Sequence, residues 1–393
     1  PGSGRRESPA FMKLRWCILG LAMLVAFTLE GQETTLFKSG DLGYACFRIP
    51  ALAAWGPEES SAQGPNRPRT LFAFAEGRRQ NCGDFGDVDI LMRKSSDGGQ
   101  TWSVPRIFVD NGPLQAGNAT PIFDAFHPDA PKGRLFLFYN TGTASEYDTR
   151  MGLGRRRGFY IFTDDQGEHW SDPVEISAQT HWDVHSEHPE KDARTWAFAP
   201  GHGMQFAIGP YRGRLYVPAN HSMGPPQENF KEYRSYGLYS DDHGITWKVA
   251  EDVPVPSSNE AMAVQIGTED LLLLIRMQNQ GPARKLLAES HDGGQTRDST
   301  WLAQDLATPM CQSSILRQGN KLYHCGPADT ATRSRLLLQK SENFGQSWEP
   351  VETIWMGSAA YCDVVAVAPD FMGVFYERQG YSEMVWTQIV LDP

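Results

Sequence analysis

Positive charge is in short supply. The chain has 36 Lys and Arg against 47 Asp and Glu, a formal net charge of −11 over 393 residues. That balance disfavours nucleic acid and anionic membrane as partners. It leaves room for a small anionic ligand, because a local arginine cluster outweighs distant net charge. Cysteine is scarce too. Beyond Cys17 there are only Cys46, Cys82, Cys311, Cys325 and Cys362. Five is odd, so at least one is free or pairs with another chain. Cys311 and Cys325 are candidates for a bridge, although spacing does not fix connectivity. No pair has zinc-site spacing, and neither a metal nor a cofactor is expected. Gly-rich phosphate loops and dinucleotide fingerprints are missing. So is any long amphipathic helical pattern.

A long apolar run occurs only near the start. Residues 12–31, MKLRWCILGLAMLVAFTLEG, place Lys13 and Arg15 ahead of the apolar stretch from Trp16 to Leu29. This pattern predicts a secretory signal peptide; the stretch is short for a membrane span. Residues 1–11 precede Met12 and are read as an upstream segment. The expectation is a secreted protein with no stable membrane span after cleavage, bound for an extracellular, periplasmic or lysosomal site according to host. Without Arg5, Arg6, Lys13 and Arg15 the remainder is more acidic still.

What the chain has in quantity is turn chemistry: 38 Gly and 26 Pro, with 11 Trp. An octapeptide recurs five times, as SSDGGQTW, TDDQGEHW, SDDHGITW, SHDGGQTR and SENFGQSW, starting at Ser95, Thr163, Ser240, Ser290 and Ser341. Ser or Thr and Asp accept from nearby backbone N–H groups, Gly permits positive φ, and Trp anchors the turn. Arg297 stands where the fourth copy lacks Trp, and Asn343 replaces Asp in the fifth. Strand-like runs precede each copy, among them VDILMRKS and RLLLQKS. A strand-rich repeat of roughly 50 residues or more predicts the blades of a β-propeller. The segment 181–196 is a polar insertion. His181, His185, Glu187 and His188 in it suit a solvated rim better than a metal site, which needs rigid elements to bring ligands together.

One charge is out of place. Arg48 interrupts the apolar strand pattern YACFRIPAL, and a buried charge is costly unless something pairs with it. The FRIP sequence at 47–50, followed by Asp-box octapeptides, resembles the sialidases (neuraminidases), and the likeness runs over about residues 36–392. The resemblance implies an all-β fold, a six-bladed β-propeller of four-stranded antiparallel sheets. It implies a retaining exo-α-sialidase acting on sialylated glycoproteins, glycolipids or oligosaccharides.

Sialic acid carries a carboxylate on its anomeric carbon, and the planar fork of Arg pairs with a carboxylate bidentately. By resemblance Arg48 and Arg276 supply two of three such arginines. Arg333 and Arg335 compete for the third place, and Arg333, eight residues before Ser341, fits the family pattern better. Sialidases depart from the two-carboxylate scheme of other glycosidases by using a Tyr nucleophile. Tyr361 matches it, and Glu260 matches the carboxylate that takes its proton. Asp84 resembles the acid/base, which favours acidic pH, while Asp87 and Asp89 read as structural. Arg78 matches a further substrate-side arginine, and Glu377 the residue that orients Arg48. Asn118 begins a glycosylation sequon with Thr120, yet the family has an Asn here that lines the acetamido pocket. Asn220 begins a second sequon. Two other readings remain: a trans-sialidase with the same residues, and a non-catalytic sialic-acid-binding propeller that would need the arginines but not Tyr361, Glu260 and Asp84.

Overall fold

The computed structural model describes residues 1, 2, 4, 33–56, 69–182, 191–278, 281 and 283–391. The expected signal segment 12–31 and the residues His185, Glu187 and His188 lie outside this set. The chain divides into residues 1–30 and 31–393, and the described strands all belong to the second unit.

Strand β1 (Thr34–Lys38) precedes a run of β2 (Cys46–Ala54), β3 (Leu71–Arg78), β4 (Val88–Ser95) and β5 (Arg106–Val109), each antiparallel to the last. β6 (Gln115–Asp124), β7 (Arg134–Gly142), β8 (Arg156–Thr163) and β9 (Val174–Glu175) repeat the pattern. Then come β10 (Ala193–Phe198), β11 (Met204–Gln205), β12 (Leu215–Met223), β13 (Tyr233–Ser240) and β14 (Lys248–Val249), with β10 and β11 both pairing with β12. β15 (Ser258–Gln265), β16 (Leu271–Met277), β17 (Arg284–Ser290) and β18 (Ser299–Ala307) follow. β19 (Ser314–Gln318), β20 (Lys321–Pro327) and β21 (Ser334–Ser341) lead into β22 (Glu349–Ala368), a 20-residue strand. Its first half pairs with β21 and its second with β23 (Phe371–Arg378); β24 (Glu383–Val390) then joins β23 to β1. The first and last strands thus share one sheet. The only described α-helices are two short ones, Glu146–Arg150 and Ser177–Thr180. None of the described helices is long and apolar enough to cross a membrane.

Burial explains the strand sequences. β2, CFRIPALAA, is buried at every position, whereas the last strand of its run, RIFV, is exposed or half-buried throughout. A strand covered on both faces reads as a continuous apolar run; an outer strand does not need to. The cores lie between successive sheets and are rich in aromatic rings. Phe136, Phe138, Trp196, Phe198, Tyr236 and Trp247 pack together in one of them.

The octapeptides form the turns β4–β5, β8–β9, β13–β14, β17–β18 and β21–β22. All five share one hydrogen-bond scheme. The first hydroxyl accepts from the Gly N–H four residues on, at 2.8 to 3.0 Å. The same hydroxyl donates to the Asp or Asn side chain, which accepts from the backbone four residues beyond it. Asn343 makes these contacts as Asp does. Arg297 replaces Trp in kind: its Nη1 donates to Gly294 O at 2.9 Å, as the Trp247 indole does to Gly244 O at 3.2 Å.

The cysteine expectation needs correction. Cys46 is bonded to Cys82, and Cys311, Cys325 and Cys362 are buried free thiols. Cys311 does not bridge to Cys325. Asn220 is buried in β12 between β10 and β13, where a glycan has no room.

Candidate active site

The register gathers the singled-out residues at one end of the sheets. β2, β6, β15 and the second half of β22 leave that end carrying Arg48, Asn118, Glu260 and Tyr361. Their antiparallel partners β3, β16 and β23 arrive there with Arg78, Arg276 and Glu377. The Asp-box turns lie at the opposite end of the strands.

Each of the four inner strands breaks register beside its site residue: between Arg48 and Ala51, Gly117 and Thr120, Ser258 and Ala261, and Ala359 and Cys362. Such bulges bend a strand and re-aim a side chain. At the first, Ile49 takes φ 61°, a strained conformation for a β-branched residue, and Pro50 sits where no ladder bond is required. The Ile49 N–H, freed from the ladder, donates to Glu377 at 2.8 Å.

Arg48 is 7% exposed, and Glu377 is fully buried. Arg48 Nε and Nη2 donate to the two Glu377 oxygens at 3.0 and 3.1 Å. Glu377 also accepts from Tyr361 N at 3.1 Å, so one carboxylate orients both residues. Burial pulls the Arg48 pKa down, but the charge of Glu377 outweighs it and the guanidinium stays protonated. Nearby, Arg78 donates to Glu76 at 2.7 Å and, through Nη1, to Asp84 at 2.7 Å and Cys82 O at 2.6 Å. Arg48 Nη1 stands 3.9 Å from the same Asp84 oxygen. The Asp84 side chain is 67% exposed.

Across from them, Tyr361 Oη donates to Glu260 at 2.6 Å, and Arg276 Nη1 bridges to both, at 2.6 Å to the phenol and 2.7 Å to the carboxylate. Burial pushes the Tyr361 phenol well above its ordinary value; Arg276 opposes this and Glu260 adds to it. The phenol is therefore neutral at rest, in contact with the Glu260 carboxyl group. Arg333 and Arg48 lie 5.5 and 5.1 Å from the Tyr361 ring centre. Arg333 is partly buried and bonds Met310 O and Tyr381 Oη. Arg335 is exposed, with φ 56°, and bonds Ala328 O. Arg333 is the one that joins the cluster.

Residues 69–376 match the family model for the BNR repeat-like domain. The chain belongs to the sialidase (neuraminidase) family, as this domain and the relatives below together show. The sialidase of Micromonospora viridifaciens is 26% identical over 375 residues, covering 88% of this chain and 52% of that protein. Sialidase-2 of Cricetulus griseus is 25% identical over 389 residues, covering 92% of this chain and 95% of its own length. This chain therefore spans about half of the bacterial relative and nearly all of the hamster one. Among solved structures, the Hadza microbial sialidase Hz136 superposes with a TM-score of 0.74 at 17% identity, over 92% of this chain and 68% of its own. An intramolecular trans-sialidase from Ruminococcus gnavus gives 0.68 at 17% identity, over 91% and 97%. At those identities the structural likeness speaks for the fold, an all-β array of four-stranded sheets like those of sialidase propellers.

Several residues that complete this cluster were not singled out in the sequence. Glu76, 1% exposed, holds Arg78 and accepts from Asn118 N at 2.8 Å. Gly117 makes that approach possible, since a Cβ there would lie 2.4 Å from Glu76 Oε1. The signal was present: Glu76 and Arg78 are two apart and share a face of β3. Asn118 sits at the same end, its side-chain amide donating to Phe198 O at 2.7 Å. Tyr381 had no signal. It lies in the β23–β24 turn with φ 71°, its ring 4.2 Å from the Arg48 guanidinium and its hydroxyl accepting from Arg333 at 3.1 Å. Asp87 and Asp89 pair with Arg79 at 3.0 and 2.9 Å, as structural residues do. His181 is buried and stacked on Trp196, 5.1 Å between ring centres. No group of His, Cys, Asp and Glu among the described residues is arranged to hold a metal ion.

Proposed function

We propose that this protein is a retaining exo-α-sialidase that hydrolyses terminal sialic acid from sialylated glycans. The observation that carries the reading is the hydrogen-bonded set Tyr361–Glu260–Arg276 facing Arg48 and Asp84. Arg48, Arg276 and Arg333 bind the substrate carboxylate. A carboxylate nucleophile would be repelled by that group, whereas neutral Tyr361 is not. Tyr361 Oη attacks the anomeric carbon and passes its proton to Glu260 while Asp84 protonates the departing glycosidic oxygen. Water then attacks the sialyl-tyrosine, losing a proton to Asp84, and the phenolate recovers its own from Glu260. Asn118 and Arg78 contact the sugar's other substituents.

The fold is read as a closed six-bladed propeller over residues 36–392. Its last blade is completed by β1, and its inner strands are β2, β6, β10 with β11, β15, β19 and the second half of β22. The secretory reading of residues 12–31 gains support from the Cys46–Cys82 bridge, since disulfides persist in oxidising compartments.

Transfer to a second sugar is the other reading, favoured by the likeness to an intramolecular trans-sialidase. A purely binding propeller has no use for the Tyr361–Glu260 contact. A fluorogenic sialoside tests the proposal. Hydrolysis is expected at mildly acidic pH, with Tyr361→Phe losing at least about 1,000-fold. Wild-type rates in that variant would sink the mechanism. Added lactose, and analysis for an anhydro sugar product, separate transfer from hydrolysis.

A further inference from the structure

The Cys46–Cys82 bridge takes no part in the chemistry above, yet it joins the two segments that bear on the acid/base. Cys46 lies two residues before Arg48 at the head of β2, and Cys82 two residues before Asp84 in the loop between β3 and β4. Cys46 is fully buried, while residues 80–84 are all exposed. A covalent bond therefore anchors an exposed loop to a rigid, buried strand.

The loop's other ties are weaker. The bond from Gly83 N to the Asn81 side chain is local to the loop. The Arg79–Asp87 pair holds the loop's base and is partly exposed. Arg78 reaches Cys82 O and Asp84 from β3. A substrate carboxylate on Arg48, which stands 3.9 Å from the same Asp84 oxygen, would repel Asp84 and weaken this hold. Exposed loops with few packed side chains open locally at low cost. Tyr361, Glu260 and Arg276 stand on other strands, and Arg333 just before β21, so the tether joins none of them.

We propose that the Cys46–Cys82 disulfide is a positioning device for Asp84. It keeps the carboxyl within reach of the leaving oxygen after substrate enters. This rests on the reading of Asp84 as acid/base. Loosening a catalytic group by about 1 Å costs up to about 100-fold in rate. The loss would fall only on proton delivery, so it should depend on the leaving group. Alkyl sialosides such as sialyllactose need the proton; 4-nitrophenyl sialoside, whose leaving group is stable as an anion, hardly does.

The test compares kcat on those two substrates for wild type, Cys46→Ala/Cys82→Ala and Asp84→Asn, each checked for folding by circular dichroism and thermal melting. The expected result is a loss of about 10-fold to 100-fold on sialyllactose in the double variant, with less than about threefold on the nitrophenyl substrate. A merely structural bridge would lower the melting temperature and slow both substrates alike, and that result overturns the proposal. So does full activity on both. If Asp84→Asn shows the leaving-group dependence and the double variant does not, the positioning claim alone falls. If Asp84→Asn shows none, the acid/base reading falls and takes this proposal with it. Should the double variant not fold, folded wild type is reduced with dithiothreitol, giving two protein thiols and the cyclic disulfide. Its exposed Cys82 is then capped with iodoacetamide and the same two rates are compared.

Discussion

In the free protein Asp84 stands between two guanidinium groups. Partial desolvation raises its pKa, but Arg78 and then Arg48 pull harder, and the carboxyl ends below its ordinary value of 3.8. Such an aspartate is ionised at mildly acidic pH and useless as an acid. On the proposed function, a sialic acid carboxylate bound beside Arg48 adds negative charge there and raises the Asp84 pKa again. Since kcat/KM reports the free enzyme and kcat the complex, the alkaline fall of kcat should lie at higher pH than that of kcat/KM. Coincident limbs on an alkyl sialoside would contradict this account. At Glu377 the expectation concerns stability. Glu377→Ala leaves Arg48 buried without its partner and frees two backbone N–H groups, a cost of about 3–5 kcal/mol readable in urea unfolding. Tyr381→Phe keeps the ring against Arg48 and removes the acceptor for Arg333. It should raise KM about 10-fold to 100-fold with kcat little changed, since one hydrogen bond to a charged group contributes about 1.5–3 kcal/mol. Arg48 was legible because its charge broke an apolar strand; Arg276 and Tyr361 were legible only through the family resemblance. Tyr381 was not legible, because a left-handed run over Gln379, Gly380 and Tyr381 delivers it and nothing in those residue types requires that run.

At the scale of elements, the Asp box is the unit that sequence announces most clearly, since its bonds are local and its residue types follow from turn chemistry. The bulges are the opposite case. Each depends on pairing between strands, which a single strand's pattern does not encode, so the aim of Asn118 or Glu260 was hidden while its identity was not. The boxes also make the fold sensitive to acid. In Asp97, Asp242 and Asp292 burial favours the neutral form, but bonds from the nearby Thr and backbone groups outweigh it, and all three pKa values lie below 3.8. A depressed folded pKa gives stability that is present above the unfolded value and lost as pH falls through the folded one. Stability should therefore decline steeply below about pH 4. Asn343 makes the same bonds without titrating. Replacing Asp97, Asp242 and Asp292 together with Asn should leave a folded protein whose stability depends less on pH in that range. Urea midpoints at pH 3 and pH 6 measure the difference, and an unchanged dependence would show that other carboxylates carry it.

The first and last described strands pair at a seam that no local pattern could reveal. Thr34 pairs with Trp386 and Lys38 with Glu383, and residues from both ends share a core that includes Phe37, Phe47, Phe375 and Trp386. Glu377 stands on β23, the strand that pairs with β24, and its bond to Arg48 on β2 links this sheet to the next. Trp386 is 1% exposed and packs edge-on against the Asp-box residue Trp102, 5.2 Å between ring centres. Trp386→Ala removes a large ring from this junction and should cost about 3–5 kcal/mol. The more telling readout is how activity and folding are lost together. If the seam holds the Arg48–Glu377 pair in place, sialoside hydrolysis in Trp386→Ala should disappear on heating at the temperature where tryptophan fluorescence reports unfolding, both shifted down from wild type by the same amount. Activity lost well below the fluorescence transition would mean that the ends open separately and that the site depends on the seam more than the rest of the fold does. Activity surviving at the wild-type temperature would mean that the arginine pair does not need the seam at all.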